Sequence, residues 1–172
     1  MLGVTFSRKL SVSQHVDDLL AACAQTLFAL RTLRSHGLPS SGLHTIFQTT
    51  VVAKLSYAAP AWWGFTTAAD RDRLEAFLRR ATRFGYRPDS APPLASICGQ
   101  ADHRLFTCVS RNSSSAQRTP VPPERDVRYS LRPRSHHLQL PARTSALHDN
   151  NFMMRILYKD LNYSTQSTSA QL

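Results

Sequence analysis

Residues 67–84, TAADRDRLEAFLRRATRF, constrain this chain more than any other stretch. Wound at 3.6 residues per turn, they set Leu74, Phe77, Leu78, Ala81 and Phe84 on one face and Arg79, Arg80 and Arg83 on the other. Such a helix is not stable alone, because most helical stability comes from packing the apolar stripe against other elements. The rest of the sequence must supply partners for that stripe and leave the arginine row facing away from them. Just upstream, Trp62 and Trp63 have the same need for cover. At least one is expected in the core, with base stacking as the alternative role for the other.

Two further segments have the required period. Val16, Leu19, Leu20, Cys23, Leu27 and Leu30 predict a helix over about 12–35. Ser11 and Gln14 read as its capping box, Asp17 and Asp18 suit its positive N-terminal end, and HGLP at 36–39 stops it. Leu43, Ile46, Phe47, Val51 and Leu55 predict a second helix over about 41–59, capped by Ser40 or Ser41 and kinked or ended by Pro60. The third, about 67–85, closes on Gly85. A shorter helix is read over Ala101–Ser110. Val4 and Phe6 in LGVTF are strand-prone, yet no second strand lies near enough to pair with them.

The expected fold class is therefore mainly α. A short orphan β-strand at 1–10 precedes a three-helix bundle over 11–110. A Ser/Pro/Arg-rich flexible linker covers 111–135, and a smaller helical segment with a disordered tail covers 136–172. In that last segment Phe152, Met153, Ile156, Leu157 and Leu161 recur at helical spacing. Cys23, on the apolar stripe of the first helix, reads as a small core residue.

Charge bears on function more directly. The chain has 21 Lys+Arg against 11 Asp+Glu, a net charge of +10. That excess points to a polyanionic partner, nucleic acid above all. Backbone phosphates are expected to meet Arg79, Arg80 and Arg83 first, with Arg31 and Arg34 next. The alternative for the same residues is a solvated helix face. A second block of seven arginines stands between 111 and 143 against Glu124 and Asp126. No apolar run approaches the ~20 residues that span a bilayer, and the opening residues lack a signal-peptide core. Three cysteines without CxxC spacing fit a reducing compartment, so an intracellular location, nucleus or cytoplasm, is expected without a membrane partner.

Catalytic chemistry is not in view. Two-metal enzymes need converging carboxylates, whereas Asp17, Asp18, Asp70, Asp72, Glu75, Glu124 and Asp126 read as helix starts, helix surface or linker. A zinc set would have to combine Cys98, His103 and Cys108 at irregular spacing with His136 or His137. The six glycines are isolated from one another, so no phosphate loop exists. The chain is read as having no catalytic residue, metal, cofactor or small-molecule substrate of its own.

Three stretches nevertheless form a pattern: LGVTFSRKLSVSQHVDDLLAACAQTLFALRTL, LSYAAPAWWGFTTAADRDRLEAFLRRATRF and RYSLRPRSHHLQLPARTSALHDNNFMMRILYKDLN. Together they resemble the C-terminal part of the reverse transcriptase of non-LTR retrotransposons (LINE-type, jockey- or CR1-like). The second stretch matches that family's Tyr-Ala-x-Pro-x-Trp segment at Tyr57, Ala58, Pro60 and Trp62. It also matches the helix that follows, at Leu74, Glu75, Arg79, Arg80, Ala81 and Arg83. The resemblance implies a thumb-like bundle that holds template–primer duplex against a catalytic palm. It also implies an RNA-directed DNA polymerase that uses Mg²⁺ when intact. The family's Tyr/Phe-Ala-Asp-Asp turn has no counterpart here, so the expectation is a truncated fragment, inactive alone, that retains a nucleic-acid surface. The alternatives are an independent basic helical module that binds RNA or DNA non-specifically, and a pseudogene product without function.

Overall fold

Helices form where the apolar period and the terminators agree. The computed structural model describes residues 3–111, 122–123 and 138–166, apart from the side chains of 111 and 160–166. Two compact units, Met1–Ala101 and Asp102–Leu172, divide the chain within its sixth helix. The described part is mainly helical, as expected.

In the first unit, α1 (Ser13–Ser35) buries Val16, Leu19, Cys23 and Leu30. It ends at Gly37, where φ is +89°. The Gly37 N–H donates to Arg34 O at 3.0 Å and the Leu38 N–H to Leu33 O at 3.1 Å, the paired bonds of a Schellman cap. α5 (Ala68–Arg83) ends the same way at Gly85, φ +73°. There Gly85 N–H meets Thr82 O at 2.8 Å and Tyr86 N–H meets Ala81 O at 3.0 Å. Both stops were expected, because only a residue without Cβ enters the left-handed region cheaply.

The start of α1 differs from expectation. No side chain caps it, and Gln14 turns forward to Asp18 (3.0 Å) instead of back to Ser11. Ser11 Oγ receives only the Ser13 N–H, at 3.3 Å. The capping box lies on α5, where Thr67 Oγ1 accepts from Asp70 N–H at 3.1 Å and Asp70 Oδ2 accepts from Thr67 N–H at 3.3 Å. Residues 3–10 form no strand, since no neighbouring strand offers a ladder. Their backbone closes a local turn, Leu10 N–H to Ser7 O at 2.9 Å, and Phe6 packs edge-on to Phe65 at 5.7 Å. Residues 1 and 2 lie outside the described residues, as do most of the expected linker and the tail beyond 166.

The second predicted helix is broken into pieces. It comprises α2 (Ser40–Ile46), a π-helical stretch Phe47–Val52, α3 (Ala53–Ser56), α4 (Ala59–Trp62) and a 3₁₀ turn Trp63–Phe65. Neither Ser40 nor Ser41 caps it; Pro39 does, without a side-chain bond. The widening to π coincides with the β-branched run Thr49-Thr50-Val51-Val52. There the Thr49 and Thr50 hydroxyls donate back to the Thr45 and Ile46 carbonyls. The break itself falls at Tyr57–Ala58, with Ala58 left-handed at φ 49°. It places Pro60 in the first turn of α4, where a missing N–H costs nothing. Trp62 Nε1–H donates to the freed Tyr57 carbonyl at 3.0 Å.

α6 (Leu94–Arg111) begins seven residues earlier than the 101–110 reading. Pro92 and Pro93 stand just before its first turn, and Gly99 does not interrupt it. Leu94 and Cys98 join the core formed by α1, the broken second helix and α5. Each fully buried Leu- or Phe-sized side chain there contributes about 1.5–3 kcal/mol. Trp62 is at its centre, fully buried, with Trp63 only 9 % exposed and the two rings edge-on at 5.9 Å. Both tryptophans are core residues, which removes base stacking from the roles open to them.

The second unit contains the Asp102–Arg111 half of α6, the single turn α7 (Ala146–Asp149) and α8 (Phe152–Gln166). Val109, Met153, Met154, Ile156 and Leu157 are buried. Arg155 clamps the buried Asp102 through two 2.9 Å bonds and also reaches Asn150 O at 2.6 Å. Tyr158 donates to Pro141 O at 2.5 Å beneath the Arg143 guanidinium, which lies 4.3 Å above its ring.

Candidate functional site

α5 presents the strongest site. Its inward stripe is Leu74, Phe77, Leu78 and Ala81, all buried. Asp70 belongs with them, only 4 % exposed, although its sequence position read as helix surface. Ser13 Oγ donates to its carboxylate at 2.9 Å and Thr67 Oγ1 at 2.8 Å, while Arg73 lies 3.6 Å away. Burial pushes that carboxyl up. The bonds from Thr67 and Ser13, together with Arg73, outweigh it and hold the group below its usual range.

The five arginines of α5 sort by position along its axis. Arg71 Nε donates to Thr66 Oγ1 at 2.8 Å and its guanidinium lies 5.0 Å over the Trp63 ring. Arg73 reaches Asp17 of α1 at 2.5 Å. Arg79, Arg80 and Arg83, by contrast, are exposed and make no side-chain hydrogen bond or ion pair among the described residues. The natural helical partner of Arg79 is Glu75, four residues earlier. Its carboxylate turns instead to the start of α6, accepting from Leu94 N–H at 2.8 Å. Arg80 and Arg83 lie in the last turn, where cations complement the negative helix end by about 0.3–1 kcal/mol.

The arginines expected on α1 separate. Arg31 is exposed and, among the described residues, unpaired. Arg34 is engaged: its Nη1 donates to Phe84 O at 2.7 Å and its guanidinium stands 4.8 Å over the Tyr86 ring. Its first role is to clamp the end of α1 to the end of α5, so those two helices run parallel with their C-termini together. His44 of α2 approaches the next carbonyl, Gly85 O, at 3.2 Å. This cap was invisible to pattern reading, since its members are 40 to 50 residues apart. Phe84 was expected on the apolar stripe but is 48 % exposed. It is the C-cap residue, where α5 ends.

The other nucleophilic and metal candidates are structural or dispersed. Cys23 is buried in the core and its thiol is pushed up to about 11. Cys98 is buried in the first unit, Cys108 is exposed, and His103 Nε2 lies 3.5 Å from Lys159 Nζ. His136 and His137 lie outside the described residues. Among the described residues no three His, Cys, Asp or Glu side chains come together in a metal-binding group. Among them, too, no helix is long and apolar enough to cross a membrane. No known protein family, curated protein or solved structure matches this chain.

Proposed function

We propose that the outer face of α5 holds nucleic-acid backbone, in a chain that is the post-palm part of a non-LTR retrotransposon reverse transcriptase. The observation behind the first half is the row Arg79, Arg80 and Arg83: exposed, without acidic partners among the described residues, on a helix whose opposite face is core. A phosphate backbone offers a run of negative charge, and each guanidinium that meets a phosphate releases a condensed counterion. Contacts of this kind position a strand without reading its sequence. Arg31 on α1 is likewise exposed, and Arg34 clamps the end of α5.

Support for the second half is the fit between the family pattern and the work done by its residues here. Trp62 pins the Tyr57 break, Pro60 starts α4, Leu74 and Ala81 are buried, and the arginines face out. Several acids among the described residues are already held by other side chains. Asp17 and Asp70 are taken by Arg73, Ser13 and Thr67, and Asp102 by Arg155. No polymerase step is assigned to this chain, and Mg²⁺ belongs to the intact enzyme.

The test is a salt series on duplex binding, followed by fluorescence anisotropy. Changing Arg79, Arg80 and Arg83 together to Gln is expected to lower the log–log slope by roughly 0.7 to 0.9 per lost contact. Circular dichroism should match the parent, since Gln is nearly as good a helix former. An unchanged slope on an intact helix would move the binding role to the arginines of 111–143. Primer extension by the purified chain is expected to be nil, and template-dependent synthesis would sink the fragment reading.

The second reading, an independent basic helical module, is favoured by the core of the first unit, which encloses both tryptophans and closes α1 and α5 with glycine caps. A sharp cooperative melt of a clean monomer supports that reading. A broad transition with binding of a hydrophobic dye supports the fragment.

A further inference from the structure

The exposure of Phe84 is not an accident of a frayed end. Its N–H donates to Arg80 O at 3.0 Å and its carbonyl accepts from Arg34 Nη1 at 2.7 Å, so the backbone is held from both sides. The ring meets Tyr86 edge-on, centroids 6.3 Å apart at 69°, and Tyr86 is itself buried under the Arg34 guanidinium. Arg83 is the preceding residue and Arg80 lies one turn back, both exposed and without an acidic partner among the described residues. An anchored aromatic ring thus stands open to water at the end of a row of free cations.

We propose that Phe84 is a base-stacking platform, and that this end of α5 takes single-stranded nucleic acid in preference to duplex. The inference rests on the backbone-binding reading above and adds the substrate class. Proteins that hold single strands pair a cationic track for the phosphates with aromatic rings on which bases stack, whatever the sequence. In a duplex the bases stack on one another, which leaves Phe84 nothing to receive. The arginines then bind both forms, and the ring discriminates between them.

The test uses the full chain and three probes of matched phosphate number at one salt concentration: oligo(dT), a DNA duplex and inorganic polyphosphate. Phe84→Leu keeps the apolar bulk and the backbone clamp but removes the π-face. It is expected to weaken oligo(dT) binding by about 5- to 150-fold, the worth of one stacked base, and to leave the other two probes within about twofold. Phe84→Trp is expected to restore oligo(dT) binding. Its added emission, over the buried Trp62 and Trp63 background, should be quenched by oligo(dT) and not by polyphosphate. Equal losses on all three probes, or none on oligo(dT), overturn the stacking role while leaving the cationic face standing. Failure of the parent to bind any probe overturns both. If Phe84→Leu does not fold, the quenching of Phe84→Trp decides alone.

Discussion

The two ends of α5 carry similar arginines and use them in opposite ways. At the N-terminal end Arg71 is spent on Thr66 and the Trp63 ring, and Arg73 on Asp17 and Asp70. That end is also the positive pole of the helix, where an uncompensated cation is unfavourable. At the C-terminal end Arg80 and Arg83 meet a favourable pole, and the one acid spaced to pair with Arg79 has been drawn to α6. Positive charge in a sequence is therefore not equivalent to a binding surface. What separates the two is whether acids and carbonyls lie within reach once the chain has folded.

That contrast can be broken most forcefully at the packed end. Trp62→Ala removes the ring at the core centre and is expected to destabilise the first unit by about 3–5 kcal/mol, read from urea denaturation. A loss below about 1 kcal/mol would mean that this end is not an anchor. Asp70→Ala strands the Ser13 and Thr67 donors and is expected to lose about 1–3 kcal/mol. Its effect has a pH signature. The folded carboxyl is held below its usual range, so its contribution is complete above about pH 4 and disappears as pH falls through the lowered folded value. Stability of the variant should consequently be flatter than the parent below pH 4, and parallel curves would refute the assignment.

His15, with its ring 5.4 Å from Trp62, gives a smaller effect in another window. Burial lowers its folded value, against the pull of Asp18, so the unfolded chain takes up the proton first. Stability is expected to fall as pH drops below about 6.5, and His15→Gln should flatten that limb. Ala58→Gly relieves a left-handed alanine that costs roughly 1–2 kcal/mol. Gly also gains freedom in the unfolded chain, so the net stabilisation should be at most about 1 kcal/mol. Smallest of all in stability is the triple change of Arg79, Arg80 and Arg83 to Gln, expected within about 0.5 kcal/mol of the parent. Its consequence is confined to the salt slope. Changing Arg71 and Arg73 to Gln should do the reverse, lowering stability and leaving the slope alone.

Local signals were legible without coordinates. The period of Leu74, Phe77, Leu78 and Ala81, the stops at Gly37 and Gly85, the core role of Cys23 and the outward side of Arg79, Arg80 and Arg83 all follow from helix geometry and the φ preference of glycine. These properties belong to a few neighbouring residues, so a sequence determines them by itself. The fate of Arg34, the burial of Asp70 and the turning away of Glu75 were not legible. Each depends on a group brought close by folding: Phe84 lies 50 residues from Arg34, and Ser13 lies 57 from Asp70. Side chains of one type compete for the same few acids and carbonyls, and the winners are set by distances that exist only after the helices have packed. The sequence determined that α5 has a cationic side. Only the tertiary structure decided which of its arginines are free to bind.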